Sequence, residues 1–96
     1  MRVISKARLR EFWLVQPRAK RGLEAWYELI AHQEYVDFSA LKRTFGASVD
    51  YVDPVCVFDI GGNKYRLVAA MHFNTQICYV RYVLTHAEYD LEAWKR

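Results

Sequence analysis

The chain has 96 residues, 53% of them hydrophobic and 16% aromatic, with a formal net charge of +3. Such a length makes one domain, residues 1–96, with a core of limited size, and the apolar content excludes a disordered chain. No apolar run approaches the ~20 residues of a membrane span, and no long apolar segment follows the charges at Arg2 and Lys6 as in a secretory signal, so the expected compartment is the cytoplasm, with no membrane partner.

Val3 and Ile4 predict a short first strand, and Ser5 a cap for the helix that follows. Leu9, Phe12, Trp13 and Gln16 recur at helical spacing. Pro17 ends that helix near Gln16, because the residue before proline avoids helical geometry, and it suits the first turn of the next helix. Leu23, Trp26, Tyr27 and Ile30 line one side of this second helix, so the pair reads as a helical hairpin. Asp37 or Ser39 can cap a short third helix bearing Phe38, Leu41 and Phe45, with Gly46 at its exit. Ala47 to Pro54 reads as a loop.

Val55 to Ile60 then reads as a strand, Gly61-Gly62 as a hairpin turn, and Lys64 to Phe73 as the returning strand. Asn74-Thr75-Gln76 turns the chain into a third strand, Ile77 to Thr85. Cys56 and Cys78 fall inside these apolar patterns and read as small buried hydrophobes; neither a disulfide nor a metal site is expected. The fold class is α+β: an N-terminal helical hairpin and a short third helix packed on a three- to four-stranded antiparallel sheet.

Side chains alternate between the two faces of a sheet. One set, Cys56, Phe58, Ile60, Tyr65, Leu67, Ala69, Met71, Phe73, Cys78, Val80, Tyr82 and Leu84, is almost wholly apolar and should face the helices. The other set runs through Val55, Val57, Asp59, Lys64, Arg66, Val68, Ala70, His72, Ile77, Tyr79, Arg81, Val83 and Thr85, and gathers Lys64, Arg66 and Arg81. Arg66 and Arg81 would then lie on adjacent strands and face the same way, which is unfavourable without an anion between them. Asp59 and a bound phosphate are the two candidates.

Arg2, Lys6, Arg8, Arg10, Arg18, Lys20 and Arg21 are seven of the 14 basic residues, and Glu11 is the only acid among them. A clustered basic field attracts polyanions. Arg18, Lys20 and Arg21 fall in the first turn of the second helix, against its dipole, at ~0.3–1 kcal/mol each. Past the third strand, His86, Glu88, Tyr89 and Asp90 lie within five positions. Imidazole exchanges protons near neutrality, a phenol can act as an acid, and a carboxylate can orient an imidazole. With Lys64, Arg66 and Arg81 these are the groups that RNA cleavage needs: a base, an acid, and cations for the charge on phosphorus. Strict alternation puts His86 on the core face, and the same residues have structural roles open to them. Tyr89 can cover the core edge, and Asp90 can cap a last turn from Leu91 to Lys95.

The segments Phe58-Asp59-Ile60-Gly61-Gly62-Asn63-Lys64-Tyr65-Arg66-Leu67, Ile77-Cys78-Tyr79-Val80-Arg81 and Thr85-His86-Ala87-Glu88-Tyr89-Asp90 resemble the HigB toxin family, within the RelE/ParE superfamily of bacterial toxins. The N-terminal stretches Ile4-Ser5, Arg8-Leu9-Arg10-Glu11-Phe12-Trp13 and Ala25-Trp26-Tyr27 fit as well. The resemblance implies a RelE-like α+β fold and an endoribonuclease that cuts messenger RNA on translating ribosomes. It implies neutralisation by a cognate HigA-type helix-turn-helix antitoxin, through which alone DNA would be touched. It points to Lys64, Arg66, Arg81, His86, Tyr89 and Asp90 as catalytic positions. Asn63, Lys6, Arg10, Arg18, Lys20 and Arg21 are the positions expected to hold RNA, and no metal or cofactor is expected. A ParE-like gyrase inhibitor and a plain RNA-binding module are the alternatives.

Overall fold

The structure, a computed structural model, describes residues 1–95. In chain order the elements are β1 (Arg2–Ile4), α1 (Ala7–Val15), a 3-10 turn (Pro17–Ala19), α2 (Lys20–Ala31), α3 (Phe38–Phe45) and a second 3-10 turn (Gly46–Ser48). Then come β2 (Val49–Val52), β3 (Val55–Ile60), β4 (Tyr65–His72), β5 (Ile77–Thr85), α4 (His86–Asp90) and a last 3-10 turn (Ala93–Lys95). No helix among the described residues is long and apolar enough to cross a membrane.

The strands form one five-stranded sheet in the order β1-β5-β4-β3-β2. β1 runs parallel to β5, and the other pairs are antiparallel. The α+β class stands, but two details differ: a 3-10 turn, Pro17–Ala19, interrupts the expected helical hairpin, and the three- to four-stranded antiparallel sheet is corrected to a five-stranded mixed one. Part of the difference is the segment read as a loop. Asp50, Asp53 and Pro54 are turn-forming residues, yet only Asp53 and Pro54 make the turn. Val49 to Val52 pair with Phe58 to Val55. Val49 is buried and Asp50 exposed, the pattern of an edge strand with an outward charge.

The helices cover one face of the sheet: α1 packs on β5, α2 on β1 and β3, and α3 on β2. Their apolar stripes supply Leu9, Leu23, Trp26, Ile30 and Leu41, which meet Cys56, Phe58, Leu67, Ala69, Cys78 and Val80 from the strands. Phe58 is the hub, with Trp26 edge-on at 5.5 Å between ring centroids and Phe45 at 5.0 Å. Asp37 is the α3 cap, accepting from Ala40 N–H at 2.9 Å. Ser5 is not a side-chain cap, which corrects the reading of Ser5. It sits at φ +71 and offers Arg8 N–H its carbonyl instead. Pro17 opens the short 3-10 turn that leads into α2.

Gly22 matters for the site. A Cβ there would lie 2.8 Å from Ile60 Cγ2 and 3.1 Å from Gly61 N. The absence of a side chain lets the basic first turn of α2 close on the β3–β4 turn.

Cys56 and Cys78 are free and buried, as read from their strands. Burial pushes their thiols up from an ordinary value of 9.0, to about 11 for Cys56 and about 12 for Cys78. We expect neither thiol to react with a disulfide reagent in the native protein at pH 8, and both to react at once on unfolding. Because the folded values are raised, this contribution to stability is whole below pH 9.0 and is lost as pH climbs toward the folded values. A urea titration series from pH 8 to 11 reads that loss.

Candidate active site

One extra residue sets the geometry of the exposed sheet face. Val68 pairs with Tyr82, but the next residue, Ala69, pairs with Val80, so Arg81 is unpaired. This is a β-bulge, and it shifts the alternation beyond it by one. Tyr82 and Leu84, expected on the helix face, pair instead with Val68 and Arg66; Val83, expected outside, packs against the main core. Thr85 likewise pairs with the core residue Tyr65. The expectation that His86 faces the core falls for the same reason, and because β5 ends at Thr85 and His86 begins α4.

Arg66 is the buried charge of the structure, 8% exposed. It lies directly opposite Asp59 in the β3–β4 register, with Nε 3.1 Å from Asp59 Oδ1. Asp59 is thus the carboxylate that the alternation called for. Nη1 donates to the carbonyls of Asn63 and Tyr65, each at 3.1 Å, and Nη2 donates to Asn63 Oδ1 at 2.6 Å. A guanidinium has five N–H groups; Nη1 and Nη2 make three hydrogen bonds, and Nε stands in the ion pair with Asp59. One Nη2 hydrogen remains. The turn makes this possible: Gly61, Gly62 and Asn63 all adopt positive φ, which folds Asn63 back onto the side chain three residues later. Asn63, expected to contact RNA, has its side-chain oxygen committed to Arg66.

α4 closes the site from above. Thr85 and Glu88 form a reciprocal capping box, at 3.2 Å and 2.9 Å. The Tyr89 ring lies over the Arg66 guanidinium, 5.6 Å from ring centroid to Cζ. His86 Nδ1 meets Asp90 Oδ2 at 2.8 Å, one turn along, which leaves Nε2 for a substrate. Asp90 is thus paired with His86, and among the described residues no hydrogen bond makes it the cap of a last turn. His86, Tyr89 and Asp90 stand at i, i+3 and i+4, neighbours on one side of the helix. His86 N–H donates to the Lys64 carbonyl at 3.0 Å, so the backbones of Lys64 and His86 are adjacent. Arg66, Asp59 and Tyr89 line a cavity of about 340 Å3 together with Lys42 and Asp50.

Arg81 is elsewhere. It lines a second cavity, about 800 Å3, with His72, Tyr82, Trp94 and Lys95. The two cavities are divided by Tyr89 and Trp94, stacked at 5.0 Å, with Trp94 Nε1 donating to the Tyr89 carbonyl at 3.0 Å. Of the expected RNA-holding residues, Arg10, Arg18 and Arg21 are exposed. Lys6 lies 4.2 Å over the Tyr27 ring and Lys20 5.8 Å over that of Trp13.

The sequence matches, over residues 19–92, the family described as HigB toxin, RelE-like toxic component of a toxin–antitoxin system. The chain belongs to the HigB toxin family. It is 36% identical over 92 residues to the mRNA interferase toxin HigB of Escherichia coli (strain K12), covering 94% of this chain and 88% of that relative. The mRNA interferase HigB of Shigella flexneri matches equally, and that of Escherichia coli strain CFT073 is 28% identical over the same length.

In this HigB-family chain the aromatic wall was the part of the site not anticipated from sequence. Trp94 was assigned only to a terminal turn. Its signal was an aromatic residue five positions beyond Tyr89, with a chain reversal at Glu92, which has φ +58. Lys42 was read only as part of a short helix. We expect Thr85→Ala to cost about 1 kcal/mol in α4. Because α4 lies outside the main core, native amide exchange should quicken from Glu88 to Leu91 while the global unfolding midpoint moves little.

Proposed function

We propose that this toxin cuts messenger RNA at the Arg66–Tyr89–His86 site by attack of a ribose 2′-hydroxyl on the neighbouring phosphorus, with no metal taking part. One observation carries the reading. A buried guanidinium, held by Asp59 and Asn63, keeps an Nη2 hydrogen free beside a phenol, and the helix that carries this phenol holds an imidazole paired with Asp90 one turn before it. In this scheme His86 Nε2 takes the 2′-hydroxyl proton, and the oxygen closes on phosphorus. Arg66 stabilises the added charge on the phosphoryl oxygens, and Lys64 adds a second positive charge beside it. The bond to the 5′-oxygen breaks, and Tyr89 supplies the proton to that oxygen. The products are a 2′,3′-cyclic phosphate and a 5′-hydroxyl, and Asp90 keeps the imidazole in its working orientation.

Membership of a toxin–antitoxin family implies an antitoxin partner. We propose further that the partner is a HigA-type helix-turn-helix protein, and that cutting takes place on translating ribosomes in the cytoplasm. Lys6, Arg10, Arg18, Lys20 and Arg21 present a basic surface suited to ribosomal RNA, with affinity that falls as salt rises.

Arg66→Ala tests the assignment. We expect growth arrest to vanish, and cleavage ends mapped by primer extension to fall by a factor of roughly 10²–10³, as when one transition-state donor is removed. Arg66→Lys should fare little better, since an ammonium cannot reproduce the planar fork. Antitoxin co-purification checks that each variant is folded. Undiminished toxicity at normal expression would defeat the proposal, and arrest with DNA damage but intact messages would point to gyrase instead.

A further inference from the structure

We propose that the cavity at Arg81 seats one nucleotide of the RNA strand beside the bond that is cut, with its base on an apolar floor and its phosphate at Arg81 and Lys95. The proposal rests on the cleavage reading above and adds a substrate contact to it. The cavity, about 800 Å3, lies within the ~300–1,000 Å3 of small-molecule sites. Val55, Val68 and Ala70 line it, and Val68 is 1% exposed although it faces away from the main core. Tyr82, 39% exposed, and Trp94 add planar surfaces. Bases stack on such surfaces whatever their sequence, and a cationic groove follows the backbone.

The charge around the cavity suits an anion. Arg81, Lys95 and His72 stand against one carboxylate, Asp53, and the Tyr51 hydroxyl already donates to it at 2.6 Å. Lys95 pairs with Glu92 at 3.1 Å on the exposed side. Among the described residues no carboxylate pairs with Arg81. The bulge completes the lining, because it turns Tyr82 to the side that Arg81 already faces.

Position argues for the same strand of RNA. Trp94 lines this cavity and Tyr89 lines the one that holds Arg66, and the two rings stack. Arg66 pairs with Leu84 while Val68 pairs with Tyr82, so the cavities lie two strand residues apart, or ~7 Å. Adjacent phosphates of an extended strand are separated by a similar length. An acidic peptide would use the cations and leave the apolar floor and aromatic walls unused.

The test uses the full chain on a short synthetic message programmed into purified ribosomes, with cut ends mapped by primer extension. Ala70→Trp fills the floor, and Arg81→Gln removes the rim charge from an exposed position. Ala70→Trp should lower kcat/KM roughly 5- to 150-fold, the range for one stacked base, and alter the base preference at one position next to the cut. Arg81→Gln should weaken binding evenly across sequences and lower the salt slope by about one. If Ala70→Trp does not fold, judged by circular dichroism and its thermal transition, the salt slope of Arg81→Gln decides alone. Variants that cut with the wild-type rate, profile and salt slope overturn the proposal, as does a loss confined to antitoxin binding. In either case Arg66-dependent cutting persists and the cleavage reading survives. A wild-type protein that leaves no Arg66-dependent ends removes both.

Discussion

A guanidinium that folding removes from water must find partners for nearly all its donors, and Arg66 imposes that condition on the elements around it. Unpaired, such a charge costs several kcal/mol. The β3–β4 register answers with Asp59 directly across. The hairpin turn answers with Asn63, whose backbone and side-chain oxygens both accept. That turn needs three successive residues at positive φ, a conformation that glycine adopts freely and asparagine more readily than most residues. Gly61, Gly62 and Asn63 thus hold a charge in place as well as reversing the chain. Gly22 extends the same constraint to the helices, since α2 can reach the turn only where it has no side chain.

The bulge at Arg81 is the second decision from which the site follows. Without it, β5 would keep Tyr82 and Leu84 against the helices, and α4 would start from the other face. The inserted residue rotates the end of the strand, so that the helix begun by the Thr85 capping box lies over Arg66. Arg81 lines the larger concavity, whereas Arg66 and Asp59 line the smaller one. Two arginines on adjacent strands are thus assigned to different cavities.

What could be read from sequence followed from strong local signals. β3 and β5 run between the expected residues, the helical hairpin breaks at Pro17, and Asp37 caps α3, because alternation, proline geometry and side-chain capping all act within a few positions. The Arg66–Asp59 pairing was legible as a need for a carboxylate. Three features were not. β2 is held by pairing with β3, a non-local gain that outweighs the turn preference of Asp50. The bulge depends on the mismatch between two strands and leaves no mark in either one. The Tyr89–Trp94 stack depends on a reversal at Glu92 that neither glycine nor proline announces. The family likeness named Arg66, Tyr89, His86 and Arg81 together, and the structure places Arg81 in a different cavity from Arg66 and Tyr89.

That separation bears on how a phosphate would be handled. With Nη1 and Nη2 hydrogen-bonded and Nε in the ion pair, Arg66 cannot grip two phosphoryl oxygens without disturbing one of these contacts. In the proposed mechanism it would act as a fixed charge, and such preorganised groups favour the transition state because they need not reorient as charge builds. A group this constrained gains little by binding the ground state. In that scheme the affinity for RNA would come from cations that remain free to move, namely exposed Lys64, Arg81 in the neighbouring cavity, and the exposed arginines of α1 and α2. Buried and exposed charge would then divide the work, the first lowering the barrier and the second holding the strand.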